Sequence, residues 1–246
     1  MSVIINGLHI FKGMIKYKSC SIFEAFESPS IQTIVNTINC IGVMGKGLAL
    51  EFRIRYPEMF EDYKKRCERG EVKVGQPYLY KTSEKWILNF PTKYHWKYPS
   101  RTEYIEKGLE YFVDHYKEWG INSIAFPRLG SSEGKLNWEK DVKPLMEKYL
   151  SNLDDIKIYI YLDQAPSIEE KKLLDLLNTT SEENIRRKFD LSERQIKFLK
   201  NHIKERGNLT RIRDLLKIKG VGKKTYQKVI KRKISETKNI QQKLFS

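Results

Sequence analysis

Ile34-Val35-Asn36-Thr37-Ile38-Asn39-Cys40-Ile41-Gly42-Val43-Met44-Gly45-Lys46-Gly47-Leu48-Ala49 passes from an apolar, β-branched run through a glycine-rich turn into a helix-forming segment. A strand, a tight loop and a helix start in this order aim glycine amides and the positive end of a helix at one place, which is anion-binding geometry. The spacing is neither that of a Walker loop, which needs Gly-Lys-Ser/Thr at the helix start, nor that of the dinucleotide fingerprint. A second loop, Pro127-Arg128-Leu129-Gly130-Ser131-Ser132-Glu133-Gly134, follows the apolar run Ile124-Ala125-Phe126. A glycine-rich strand-to-helix turn is common by itself. Two such turns in this order are far more specific.

Outward from these loops, short β-rich runs alternate with amphipathic stretches. Met14–Lys18, Thr33–Ile38, Gln76–Tyr80, Trp86–Pro91, Ser123–Phe126 and Lys157–Tyr161 read as strands. Gly45–Tyr56, Pro57–Arg69, Arg101–Glu118 and Trp138–Leu150 carry apolar residues at helical spacing, with Ser100 before the third helix and Gly120 after it. The pattern predicts a three-layer α/β/α domain around a mixed sheet over residues 1–165. After Asp163-Gln164-Ala165-Pro166 the strands stop. Ile168–Leu177, Glu182–Phe189, Ser192–Lys204, Leu209–Leu216 and Lys223–Lys233 read as short helices, so residues 166–246 form a small all-α domain.

Charge follows the same boundary. Residues 1–165 carry 24 Lys and Arg against 21 Asp and Glu, whereas residues 166–246 carry 22 against 10. The second domain therefore holds nearly all of the +15 net charge, either as a solubilising helical face or as a surface for a polyanion. Cys20, Cys40 and Cys67 have neither zinc-site spacing nor a disulfide framework, and the four histidines have no ligand spacing. No metal and no cofactor are expected. With no membrane-length apolar run and no signal-like N-terminus, a soluble, cytoplasmic protein is expected.

Ile34-Val35-Asn36-Thr37-Ile38-Asn39 followed by Gly45-Lys46-Gly47, together with Pro127-Arg128-Leu129-Gly130 followed by Trp138, resemble the macrodomain over about residues 13–162. Within that superfamily, Gly42 to Phe52 and Asn89-Phe90-Pro91-Thr92-Lys93-Tyr94-His95-Trp96 resemble the DarG branch, whose members act on ADP-ribosylated DNA. The resemblance implies an ADP-ribose pocket that involves Asn36 and Thr92, with the Asn39 side chain on the distal ribose. It assigns the diphosphate to backbone amides of Gly42, Val43, Met44, Gly45, Lys46 and Gly47, and of Pro127, Leu129, Gly130, Ser131, Ser132, Glu133 and Gly134. Lys93 aligns with the catalytic lysine of the DNA-directed and the protein-directed branches.

The chemistry of that lysine can be argued separately. Cleaving an N-glycosidic bond builds positive charge at the anomeric carbon, so the reaction needs a nucleophile or a proton donor for the leaving base. An amine of lowered pKa can attack the opened sugar as a Schiff base or protonate the departing base, and the sequence leaves both open. Two positions depart from the family pattern. Cys20-Ser21 stands where a Gly-Asp pair normally supplies the adenine contact, and Gly134 stands where protein-directed relatives have an aspartate, with Glu133 beside it. Tyr94, His95, Trp96 and Tyr98 follow the lysine, and either core packing or stacking on an unpaired base would suit them.

In the second domain, Leu215-Leu216-Lys217-Ile218-Lys219-Gly220-Val221-Gly222-Lys223-Lys224-Thr225-Tyr226 resembles the helix-hairpin-helix motif, spanning about residues 209–233. The resemblance implies that Lys219, Gly220, Val221, Gly222, Lys223 and Lys224 meet a DNA phosphate without reading bases. Tyr226 stands where a small residue is usual. Gln241-Gln242-Lys243-Leu244-Phe245 resembles the short peptide that docks on bacterial sliding clamps. The expected function is removal of ADP-ribose from DNA bases in an antitoxin-like or counter-defence role. The alternatives are a non-catalytic reader of ADP-ribose and DNA, and a hydrolase acting on modified protein.

Overall fold

The computed structural model describes residues 15–231 and, in addition, the backbone of residues 4–5 and 8–9. The clamp-like peptide Gln241–Phe245 and the last two residues of the Lys223–Lys233 helix lie outside the described residues. The chain divides into two compact units, Met1–Ala165 and Pro166–Ser246.

The first unit begins with a short antiparallel pair, β1 (Ile4–Ile5) and β2 (Leu8–His9). A six-stranded sheet follows in the order β3-β8-β7-β4-β6-β5. Its strands are β3 (Lys16–Lys18), β4 (Thr33–Asn39), β5 (Tyr78–Lys81), β6 (Trp86–Lys93), β7 (Ser123–Pro127) and β8 (Lys157–Tyr161). All pairings are parallel except β5 with β6, giving the expected mixed sheet. The alternation within each strand feeds two cores. Val35, Leu88, Phe90, Ile124 and Phe126 face helices α3 (Thr102–Trp119) and α4 (Lys143–Leu150). Ile34, Ile38, Ile87 and Ala125 face α1 (Gly47–Arg55), α2 (Pro57–Glu68) and a 3-10 turn, Ile22–Phe26. Because both faces are covered, the strands read as continuous apolar runs.

Three local details differ from the sequence reading. The Ile22–Phe26 turn had no periodic signal, being only five residues long. Trp138–Val142 opens as a π-turn before α4 begins at Lys143, where Pro144 has no amide to donate. Arg101, not Ser100, occupies the cap of α3, while Gly120 ends that helix in the left-handed region, as expected.

The second unit contains α5 (Ile168–Thr179), α6 (Glu182–Phe189), α7 (Glu193–Arg206) and a further helix from 222 to 231. Side chains of Ser167, Ser181 and Ser192 cap the first three. The segment read as an α-helix over Leu209–Leu216 is instead a 3-10 helix, Ile212–Lys217. Buried Leu209, Ile212, Leu215 and Ile218 recur at every third position, matching 3.0 residues per turn rather than 3.6. Arg211 and Glu170 fix this segment to α5 through a largely buried, two-pronged ion pair, and Glu170 also accepts the Ile212 amide at 2.9 Å.

Candidate active site

β4, β6 and β7 run parallel, so Asn39, Lys93 and Pro127 emerge at the same edge of the sheet. Ligands in such sheets sit beyond the carboxyl ends of the strands. The β4–β6 register is irregular there: Ile38 pairs with Pro91, but Asn39 pairs with Lys93. Thr92 is the extra residue of a bulge, a device that redirects a side chain at the end of a ladder. Beyond the strands, the Cys40 amide donates to the Tyr94 carbonyl at 3.0 Å and the Cys40 thiol to the Lys93 carbonyl at 3.4 Å.

Asn39 organises the first loop. Its Oδ1 accepts from the amides of Ile41 (3.0 Å) and Val43 (3.4 Å), and its Nδ2 donates to the Val43 carbonyl at 2.6 Å. The Tyr63 hydroxyl, fully buried on α2, donates to the Asn39 carbonyl and Oδ1 at 2.9 and 3.0 Å. An amide NH2 carries two protons, so one Nδ2 proton is left for a ligand. Sequence reasoning missed Tyr63: it lies on the buried stripe of α2 with Met59 and Phe60, and nothing in the stripe distinguishes it. α1 then starts at Gly47 with no side-chain cap and no acidic residue in its first turn, leaving its amides for an anion.

The second loop is drawn tight by the Leu136 amide on the Gly130 carbonyl (3.1 Å) and the Ser100 amide on the Gly134 carbonyl (2.9 Å). A Cβ on Gly134 would lie 2.1 Å from the Gly130 oxygen and 2.4 Å from Ser100 Oγ, so no side chain fits there. The two loops meet at Glu133. Its backbone carbonyl accepts from Lys93 Nζ, and a Cβ on Gly47 would lie 3.3 Å from its Cγ. Half-buried Lys93 has its pKa lowered by burial, reinforced by Lys135 and opposed by Glu133.

Seven of the expected contact residues are interior: Asn36, Asn39, Met44, Thr92, Leu129, Gly130 and Gly134. Asn36 and Leu129 are fully buried, and Met44 and Thr92 nearly so. Asn36 donates to Asn89 Oδ1 at 2.9 Å across the β4–β6 pair. Ser21, in the family's adenine-contact position, caps the Ile22–Phe26 turn. A cavity of about 610 Å³ lies on the far side of the first loop, lined by Cys40, Ile41, Gly42, Cys67 and Tyr94 among others, not between the loops. Burial pushes the Cys40 thiol up to about 12 and the Cys67 thiol to about 11, so neither is a thiolate at neutral pH. Among the described residues no cluster of His, Cys, Asp or Glu could hold a metal ion, and no helix is long and apolar enough to cross a membrane.

In the second unit, Gly220 and Gly222 have φ of +84° and +58° in the turn that leads into helix 222–231. A Cβ on Gly220 would lie 2.4 Å from the Phe198 ring, so this glycine is required by both backbone and packing. Lys219, Lys223 and Lys224 are exposed around the turn, whereas Val221 is buried. Tyr226 is fully buried and accommodated in the core.

This sheet, with two amide-lined loops converging on its strand ends, is the architecture of the macrodomain. The Macro domain family matches residues 35–144, and the macrodomain of Mycobacterium tuberculosis DarG is 43% identical with a TM-score of 0.56, over 61% of this chain and 97% of that one. The chain belongs to the macrodomain family. A Thermosipho africanus DarTG structure in complex with ADP-ribose is 40% identical with a TM-score of 0.52, over 55% of this chain and 38% of that one. A curated Mycobacterium tuberculosis relative, a DNA ADP-ribosyl glycohydrolase, is 43% identical over 152 residues, 60% of this chain. The chain spans 42% of that relative's length.

Proposed function

We propose that this protein is a hydrolase that removes ADP-ribose from ADP-ribosylated DNA by cleaving the N-glycosidic bond to a base. The observation that carries the reading is the pairing of Asn39 with Lys93 at the junction of the two loops. Similarity to DNA ADP-ribosyl glycohydrolases supports the substrate class. In this reading the diphosphate lies on the amides of loops 42–47 and 129–134, and the free Nδ2 proton of Asn39 meets the distal ribose.

The bond from the anomeric carbon to the base nitrogen breaks, water supplies the new oxygen at that carbon, and the base nitrogen gains a proton. Lys93 stands where it can serve as the amine that adds to the opened sugar or as the acid that protonates the base. Ligand entry moves its ammonium off the Glu133 carbonyl. Gly134 leaves no room for the aspartate of protein-directed relatives, which favours DNA over modified protein. The basic unit, residues 166–246, would hold the nucleic acid through the Gly220–Gly222 turn and its lysines. The Thermosipho africanus transferase–glycohydrolase fusion is consistent with an antitoxin-like role.

The test is release of ADP-ribose from a modified single-stranded oligonucleotide by the wild type and by Lys93→Ala. On the order of a hundredfold loss or more in the variant, with ADP-ribose binding kept, is expected. Binding without release by either protein would make it a reader.

A further inference from the structure

Seven large hydrophobic residues are exposed among the described residues, and five of them, Ile41, Val43, Tyr94, Trp96 and Tyr98, belong to the two segments that flank Lys93. The Cys40 amide on the Tyr94 carbonyl ties these segments together. Tyr94, Trp96 and Tyr98 are 64%, 49% and 65% exposed, too open for the core packing that the sequence also allowed. His95 packs against both Trp96 and Tyr98, with ring centroids 5.6 and 5.5 Å apart, so the rings are held while much of their surface stays exposed. Contiguous apolar surface of this kind beside a catalytic mouth marks an interaction site.

Charge identifies the occupant. Lys97 Nζ lies 5.4 Å from the Trp96 ring centroid. Ile41 and Tyr94 also wall the cavity of about 610 Å³, whose lining includes Lys73, Lys64, which is ion-paired with Glu61 at 3.4 Å, and one carboxylate, Glu68. Aromatic faces interleaved with ammonium groups match a single-stranded polynucleotide, with bases on the rings and phosphates on the lysines.

We infer that this rim is the track for the unpaired nucleotides flanking the modified base, so that the first unit itself engages the strand. The inference rests on the DNA-directed reading but is tested independently of turnover. The full chain is titrated with an unmodified short oligothymidylate while tryptophan emission is followed. Trp138 is buried and Trp86 and Trp119 are half-buried, which leaves Trp96 as the indole most open to a stacking base. Saturable quenching that is lost in Trp96→Phe is expected, and equal quenching in both proteins would overturn the inference. As a second readout, kcat/KM on a modified oligonucleotide is divided by that on the modified mononucleoside. Tyr94→Ala/Trp96→Ala should lower this ratio about tenfold, within what stacking supplies per base, and an unchanged ratio overturns the track. If the wild type releases nothing from either substrate, the glycohydrolase reading fails, and the quenching result alone decides the surface.

Discussion

Lys93 is the register partner of Asn39 on the neighbouring parallel strand, even though Thr92 separates it from Pro91, the partner of Ile38. The bulge brings the two residues of the proposed chemistry side by side, and burial there lowers the pKa of the lysine. A lowered pKa means the amine loses its proton at a pH below that of a free lysine. If the neutral amine reacts, kcat/KM rises with pH and levels off below the ordinary lysine range; if the ammonium is the acid, kcat/KM falls across the same range. Lys93→Arg stays protonated throughout and should be as inactive as Lys93→Ala, with the limb absent from its pH profile.

Tyr63→Phe removes the donor that holds both oxygens of Asn39. The expected cost is about 1 kcal/mol of stability, read by denaturant unfolding. ADP-ribose should bind several-fold more weakly as the first loop loosens. Wild-type affinity in this variant would show that Asn39 needs no brace.

Gly134→Ala forces a Cβ toward the Gly130 oxygen and Ser100. Relieving the clash should cost about 1–3 kcal/mol and reopen the second loop. A tenfold or greater loss in ADP-ribose affinity by calorimetry is expected, and Gly134→Asp should behave no better. Unaltered binding by either variant would mean that the loop shape does not matter to the ligand.

Replacing Lys219, Lys223 and Lys224 together by alanine should weaken DNA binding uniformly across sequences. The slope of log K against log salt should fall by roughly two to three, at about 0.7–0.9 per phosphate contact. An unchanged slope would place the DNA elsewhere in the chain.

The strands and both loops were legible because each apolar run was long enough to show its period and each loop carried its glycines in sequence. The bulge was not, since Thr92 and Lys93 differ from a regular strand end only by how they pair with β4. The burial of Asn36 depends on which face of its strand is covered, and adjacency in sequence does not say which. The spacing of Leu209, Ile212, Leu215 and Ile218 did hold the 3-10 signal, but a search for 3.6-residue periods passes over it. The exposure of Tyr94, Trp96 and Tyr98 depends on what packs nearby, which only the folded chain settles.

In the structure the Lys93 ammonium of the strand end donates to the Glu133 carbonyl of the second loop. If ligand binds only while that contact is broken, apparent affinity and association rate are both multiplied by the open fraction. If the contact favours the closed form by ~1.4 kcal/mol, association slows about tenfold. Lys93→Ala would then capture free ADP-ribose faster than the wild type, separating the speed of capture from the power to cleave.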